Sequence, residues 1–258
     1  MKQRMIGVSS FVNHFVASRF PKSCPFILVC EFPRSGANWI RDMIGDALQL
    51  PVPRSSLLPI TFSALVHSHF PQPVLKGRAV YVVRDGRDVL VSHYYKTLQT
   101  IRAGTPEQRR RAIKLHPSMG GVDGDIKLGS EIRAFYDEWK CRPLGSRVDW
   151  GEHVKGWLNA KARGVVVVRY ERMLEEPNET LRSALCRLGG EDPNEIAIDF
   201  AVQRNTFESK TGRAPGQVDN NQNRRSGQSG GWREALPPDI QARFLVDFGD
   251  ALDLVTAL

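Results

Sequence analysis

Residues 25–48 read PFILVCEFPRSGANWIRDMIGDAL and contain the signals of a strand, a turn and a helix in succession. The apolar run 26–30 predicts a buried strand, and the pattern 39–48 predicts a helix. Between them, Arg34, Ser35 and Gly36 supply a cation, a hydroxyl and a turn-forming glycine. A helix N-terminus offers unpaired N–H groups and a partial positive charge, so this joint is a candidate anion cradle. A glycine at such a joint can equally serve the turn alone.

The strand-then-helix order recurs twice further along the chain. Apolar, β-branched runs at 79–83 and 165–168 predict buried strands, and each precedes a helical pattern, at 89–100 and 179–188. Repeated βα units predict a single α/β domain over the whole chain, with a parallel β-sheet flanked by helices. Ligands bind such sheets at the carboxyl ends of the strands. By contrast, residues 101–150 look irregular, with only 131–139 clearly helical.

The composition is that of a globular protein with an anionic partner. The 258 residues are 41% hydrophobic and 25% charged, which allows a full core. The formal net charge of +8 favours a nucleotide, a polyanion, nucleic acid or a membrane surface as partner. Cysteines are few and widely spaced, at Cys24, Cys30, Cys141 and Cys186. We therefore expect no metal site, no disulfide framework and a reducing, cytoplasmic location.

The N-terminal segment, residues 1–24, has the spacing of an amphipathic helix. Its apolar residues recur at i, i+3, i+4, i+7 and i+8, at Val8, Phe11, Val12, Phe15 and Val16. Polar residues interrupt the run, so we expect neither a cleaved signal peptide nor a spanning helix. The helix either packs against the protein's own sheet or lies on a membrane surface, peripheral at its inner face.

A second anion-type pattern lies at the end of the strand 79–83. Arg84 follows this strand directly, and Ser92 lies eight residues later on the next predicted helix. A guanidinium offers a fixed fork of donors for phosphate, and a hydroxyl on the helix face can share the same anion. Arg84 can instead pair with a neighbouring aspartate. Together with Arg34, the pattern indicates a protein that binds a doubly phosphorylated nucleotide.

Four blocks in order resemble the cytosolic-type sulfotransferases, including bacterial members, which use 3′-phosphoadenosine 5′-phosphosulfate (PAPS). FPRSGANW at 32–39 is similar to the family's Y-P-K-S-G-T-T-W loop, and 81–92 is similar to its 3′-phosphate block. VRYERML at 168–174 is similar to R-Y-E-D-L. RSG at 225–227, followed by Trp232, is similar to R-K-G…W, and residues 205–207 occupy the place of T-S-F.

The resemblance implies a P-loop-like fold, PAPS as sulfuryl donor and no metal. It implies that Arg34 and the N–H groups of residues 36–39 hold the 5′-phosphosulfate, that Arg84, Ser92 and Arg225 hold the 3′-phosphate, and that Trp39, Tyr170 and Phe207 frame adenine. Arg34 stands where the family usually has Lys, so a planar guanidinium with several N–H donors replaces the compact charge of an ammonium group. The full cofactor-binding set implied is Arg34, Ser35, Gly36, Ala37, Asn38, Trp39, Arg84, Ser92, Tyr170, Phe207, Arg225, Ser226 and Gly227.

Two histidines are candidates for the general base, beside Arg34 as the catalytic cation. His69, in VHSHFP at 66–71, matches a histidine that serves as base in some bacterial members. His116, followed by Pro117, resembles the later H-P loop that carries the base in animal members. Imidazole titrates near neutrality and can accept a hydroxyl proton as the O–S bond forms.

The acceptor is expected to carry a hydroxyl, and residues 97–150 are expected to form its binding insertion. The polar and basic character of that segment favours a glycan, a glycolipid or another small metabolite. Two other functions stay open at this stage: a small-metabolite kinase, against which the absence of a full G-x-x-x-x-G-K-[ST] loop counts, and a non-catalytic basic protein. No recognised nucleic-acid motif occurs, so we expect no nucleic-acid partner, and a homodimer stays open.

Overall fold

The computed structural model of the protein describes residues 2–20, 23–53, 58–71, 78–121, 131–160, 164–189 and 193–258. These residues form a parallel sheet of four strands in the order β2-β1-β3-β4, with β1 at Ile27–Glu31, β2 at Leu65–Ser68, β3 at Ala79–Val83 and β4 at Val166–Arg169. The three strands expected from sequence are present. The edge strand β2 was missed, because it has four residues and carries His67 and Ser68.

Helices connect the strands and cover the sheet. They are α1 Lys2–Arg19, α2 Ala37–Leu48, α3 Gly86–Ala103, α4 Pro106–Leu115, α5 Ile132–Cys141, α6 Trp150–Leu158, α7 Tyr170–Glu175, α8 Pro177–Gly189, α9 Glu195–Arg204, α10 Phe207–Thr211, α11 Trp232–Ala235 and α12 Pro238–Thr256, with a short 3₁₀ turn at Pro117–Met119. None of those in the described ranges has the length and apolar character needed to cross a membrane.

Both faces of the sheet are buried, because side chains alternate along each strand. One core contains Leu28 and Tyr81 with aromatic residues of α5, α6 and α12. The other contains Val29 and Val80 with residues of α2, α8 and α9. The predicted α/β class, a parallel sheet flanked by helices, is confirmed. The carboxyl ends of β1, β3 and β4 meet at one edge, where the candidate residues lie.

The prediction that residues 101–150 are mostly irregular is wrong for much of the segment. Helix α4 begins at a capping box, in which Thr105 accepts from the Gln108 backbone N–H and Gln108 bonds back to the Thr105 N–H. Helix α5 places Phe135 and Trp139 in the main core. Much of the segment is therefore part of the helical layer, although residues 142–149 are not helical and residues 122–130 lie outside the described residues.

The N-terminal helix spans Lys2–Arg19 and contacts the edge strand β2, but several of its large apolar side chains do not face the sheet. Ser9, Asn13 and His14 are buried, whereas Phe11 and Phe15 are 54% and 51% exposed. Polar groups of α1 bond to the main chain of residues 58–60, which explains the orientation. The helix therefore packs on the sheet, which was one of the two alternatives, with Ala17 in the main core, but its buried side is mainly polar.

Candidate functional site

The turn after β1 contains two residues with left-handed backbone. Arg34 has φ 81° and Gly36 has φ 99°. A Cβ at Gly36 would lie 2.5 Å from the Tyr170 ring, so both the backbone angle and the close approach require glycine. Trp39 meets the same ring edge-on, with centroids 6.0 Å apart. The loop at 32–39 and the start of α7 therefore come together at the carboxyl edge of the sheet.

Glu31, the last residue of β1, is buried beneath this loop. Its Oε2 accepts the Ala37 N–H at 2.8 Å, and its Oε1 lies 3.2 Å from His67 Nε2. Burial alone would raise the pKa of Glu31, but His67, the second imidazole nearby and the Ala37 N–H outweigh it and lower the pKa to about 2. The Trp39 N–H donates to Gly36 O at 3.0 Å. The anion contacts expected from the Ala37 and Trp39 N–H groups are therefore taken by the protein itself in this structure.

Three arginines converge on the same edge. Arg34 Nε donates to Ser92 Oγ at 3.0 Å, which joins the two phosphate-type blocks of the sequence. Arg84 lies over Tyr170, with its Cζ 4.2 Å from the ring centroid. Burial lowers the pKa of Arg34, and the neighbouring Arg84 and Arg225 lower it further. Burial also lowers the pKa of Arg225, with Arg84 adding to the effect. Cations gathered this closely repel one another, so the site favours an anion.

Residues 213–231, called the closing loop below, lie over these arginines. Gly227 has φ 64°, and a Cβ there would lie 2.4 Å from the ring of Phe207. The buried Asp88 of α3 accepts the Gly230 N–H at 2.7 Å. Arg84 donates to Gln228 O at 3.0 Å. These contacts bring Arg225 and Phe207 to the site, as the sequence blocks predicted.

The closing loop also contacts the cations directly. Arg34 donates to Asn223 O at 2.8 Å, and Lys96 Nζ donates to Asn223 Oδ1 at 2.9 Å. The cavity between Arg34, Ser92, Lys96 and Arg225 is only about 10 Å³. The main chain and side chain of Asn223 therefore occupy donors of both Arg34 and Lys96 in this structure.

Three other residues of the predicted set have different contacts. The buried Ser35 hydroxyl donates to Phe32 O at 2.8 Å and so stabilises the turn. Asn38 is exposed in the first turn of α2. Ser226 accepts the Gly216 N–H at 2.8 Å through its carbonyl. The Ser35 side chain and the Ser226 carbonyl therefore hold the loops in shape.

His69 lies next to Glu31 and has a defined tautomer. Its Nδ1 is 3.1 Å from Glu31 O, and a carbonyl can only accept, so Nδ1 carries the proton and Nε2 is the acceptor. Burial lowers the pKa of His69 to about 4, with His67 adding to the effect and Glu31 opposing it. The ring is therefore neutral near pH 7. His67 meets it edge-on, with centroids 4.4 Å apart.

Glu31, His67 and His69 also place potential metal-ligand atoms within 4.8 Å of one another. The Glu31 carboxylate is hydrogen-bonded to His67, and His69 Nδ1 is hydrogen-bonded to the Glu31 main-chain carbonyl.

A family model described as sulfotransferase domain matches residues 50–256. The chain belongs to this family. The match includes Arg84, Ser92 and Arg225 and begins after the loop at 32–39, which the structure nevertheless brings against them. Family membership agrees with the four sequence blocks. It favours a sulfotransferase over the two other functions, a small-metabolite kinase and a non-catalytic basic protein.

Curated relatives of this sulfotransferase domain are distant. The chain is 22% identical to mouse Sulfotransferase 2A2 over 71% of its own length, and the alignment spans 65% of that protein. It is also 22% identical to the guinea-pig (Cavia porcellus) 3-beta-hydroxysteroid sulfotransferase, over 79% of this chain and 72% of that protein. The chain thus spans about two thirds of the length of these relatives.

Solved structures show the same fold. Mouse sulfotransferase SULT7A1, crystallised with PAP, superimposes with a TM-score of 0.66 at 16% identity, over 96% of this chain and 94% of that one. A retinol dehydratase in complex with androsterone and inactive cofactor PAP gives a TM-score of 0.65 at 16% identity, over 95% and 85% of the two chains. At this identity the comparison shows the fold alone.

His116, the second candidate base of this sulfotransferase domain, lies in the interior. It is fully buried after α4 and packs on Phe135, with centroids 4.8 Å apart. The Glu138 carboxylate is 3.9 Å from its Nδ1, and neither ring nitrogen has a hydrogen-bond partner among the described residues. Burial lowers its pKa to about 4. In this conformation the ring does not reach a surface from which an acceptor could enter.

The sequence offered Asp88 only as a partner of Arg84, and the structure has this ion pair, with Nη2 and Oδ2 3.8 Å apart, but the residues that anchor the closing loop were not predicted in that role. Asp88 accepts the N–H groups of both Gly230 and Trp232, and Arg213 donates to Arg225 O at 3.0 Å. Asp88 lies in the RDGRD stretch at 84–88. Its position four residues after Arg84, the arginine expected to bind phosphate, was the available signal in the sequence. Arg213 had none, because its partners are backbone carbonyls.

A separate cavity of about 560 Å³ lies between α2 and α9. It is lined by Asp46, Leu50, Phe200 and Arg204 among others and contains none of the residues above. Its two charged side chains pair with each other, with Arg204 Nε 3.5 Å from Asp46 Oδ2, so we base no catalytic role on the size of the cavity.

Proposed function

We propose that this protein transfers a sulfuryl group from PAPS to an acceptor hydroxyl. The observation that carries the proposal is the meeting of Arg34, Arg84 and Arg225 around Ser92 at one edge of the sheet, although their sequence blocks are far apart. Two separated phosphate positions suit a nucleotide phosphorylated at both 3′ and 5′ positions. When bound, PAPS would supply an activated sulfuryl group with a good leaving phosphate.

In this proposal the protein contributes positioning and charge. Arg34 neutralises the charge that develops on the leaving phosphate, while Arg84, Ser92 and Arg225 hold the 3′-phosphate. Trp39, Tyr170 and Phe207 offer aromatic surface for adenine. The Arg34–Ser92 hydrogen bond links the two phosphate positions, so that binding at one aligns the other.

His69 is the proposed general base. As the acceptor oxygen bonds to sulfur and the sulfur–oxygen bond to the leaving phosphate breaks, the hydroxyl proton passes to His69 Nε2. Support comes from the Nδ1–H bond to Glu31 O, which leaves Nε2 as the acceptor. We propose residues 97–150 as the acceptor-binding segment and a hydroxyl-bearing glycan, glycolipid or other small metabolite as the acceptor.

The test is label transfer from ³⁵S-PAPS to fractions of a crude glycan, lipid and small-molecule extract. We expect labelled product with the native protein and strongly reduced labelling with Arg84→Ala. ATP in place of PAPS should give no transfer of phosphate. Transfer from γ-labelled ATP without transfer from PAPS would refute the proposal.

A further inference from the structure

Helix α1 is turned so that its polar residues face the protein. Ser9 Oγ donates to Leu58 O at 2.7 Å, and Asn13 Oδ1 accepts the Ile60 N–H at 2.8 Å. His14 stacks on Phe70, with ring centroids 4.5 Å apart. These three contacts fix the rotation of the helix about its own axis. Because the polar residues of the helix face the protein, large apolar side chains of the helix face away from it.

The outward face of α1 is apolar. Met5, Val8, Phe11 and Phe15 are 40%, 63%, 54% and 51% exposed. Further apolar side chains at Phe20, Leu58 and Phe62 are also exposed, on the segments that directly follow or bond to the helix. We call these seven residues the α1 face. Contiguous exposed apolar side chains on a helix are typical of a surface that contacts a membrane or another protein.

The charges of α1 favour an anionic membrane over a second copy of this helix. The helix contains Lys2, Arg4 and Arg19 and no acidic residue. Two copies of this helix packed face to face would bring like charges together, which costs energy. An anionic bilayer instead attracts the cations while it accepts the aromatic side chains.

We propose that the α1 face lies on an anionic membrane surface, with Phe11 and Phe15 at the boundary between headgroups and acyl chains. Phe11 of this face and His14 of the buried side both contact Phe70, the residue after His69. The docking itself does not depend on the proposed transfer reaction.

The test is sedimentation of the full chain with phosphatidylcholine vesicles that contain or lack phosphatidylglycerol. We expect binding to the anionic vesicles, weakened by salt, and little binding to the neutral ones. The double variant Phe11→Ser, Phe15→Ser should lower the partition coefficient at least about tenfold, since each phenyl ring contributes apolar area. Both positions are exposed, so thermal melting should change little.

A matched control distinguishes membrane binding by the α1 face from non-specific binding by other exposed apolar side chains. Phe200→Ser, Leu245→Ser removes two apolar side chains of similar exposure, 54% and 53%, from α9 and α12. This variant should bind vesicles like the native chain. Equal losses in both variants, or no binding of the native chain to anionic vesicles, would overturn the proposal. So would a dimer, seen by sedimentation equilibrium, that the Phe11→Ser, Phe15→Ser variant dissociates.

Discussion

Arg34→Ala should lower kcat by about 10²–10³, as loss of an oxyanion-stabilising donor does. In the structure the Arg34 guanidinium is held by Ser92 Oγ at 3.0 Å and Asn223 O at 2.8 Å, and it lies close to Arg84 and Arg225. A charge-assisted contact is worth about 1.5–3 kcal/mol, and the burial that lowers the pKa of Arg34 strengthens its field. The charge it meets is larger in the transition state than in the bound nucleotide. The affinity for the product nucleotide should therefore fall less than kcat does.

Arg34→Lys is the matched variant, because both substitutions keep a Cβ at the φ of 81° and so share any backbone strain. Lysine retains the charge, although one nitrogen cannot make the contacts to Ser92 and to Asn223 from the two ends of a fork. We expect kcat within about tenfold of the native protein, or ~1.4 kcal/mol. The assay is steady-state transfer at saturating PAPS, with calorimetry of 3′-phosphoadenosine 5′-phosphate (PAP) on the same samples. If Arg34→Ala weakens PAP binding and leaves saturated kcat unchanged, Arg34 only binds the nucleotide, and Lys96 becomes the candidate for assisting departure.

Three further predictions concern the base and the turn. His69→Ala should lower kcat about 10²–10⁴-fold and leave the affinity for PAP nearly intact, whereas His116→Ala should mainly alter stability or the KM for the acceptor. Steady-state kinetics of the two variants measures this, and the reverse pattern would move the base to His116. Because the base must be neutral and burial lowers the pKa of His69 to about 4, kcat/KM should be flat from about pH 5 to 7 and fall as the pH drops through 4; a loss centred near pH 6.5 would contradict this assignment. Gly36→Ala should abolish PAP binding in calorimetry, since its Cβ would lie 2.5 Å from the Tyr170 ring; affinity like that of the native protein would show that this packing is not required.

Much of the fold could be predicted because its signals are local. Buried parallel strands such as Ala79–Val83 are continuous apolar runs, and each is followed by a helix with the expected period. Helix α4 could also have been predicted, since the stretch TPEQ at 105–108 has the residues of a capping box. The short strand β2 offers too few residues for any period to be recognised.

The orientation of α1 could not be predicted, because its period is compatible with either face turned inward. The outcome depends on acceptors and donors in residues 58–60, far from α1 in the sequence. For the candidate site, the residues could be predicted from the sequence, but the contacts that place them could not. Its cations were visible as motifs, while the bonds that place them, from Asp88 and from Asn223, depend on a loop whose composition resembles a linker.

The central claim is that the cations at the sheet edge bind a nucleotide phosphorylated at both the 3′ and 5′ positions. Calorimetry of PAP against AMP tests it most directly, because neither ligand requires a known acceptor. Each charge-assisted contact to the 3′-phosphate is worth about 1.5–3 kcal/mol, so PAP should bind at least about tenfold more tightly than AMP. Arg84→Ala should remove most of this difference. Equal affinity for PAP and AMP in the native protein would contradict the account.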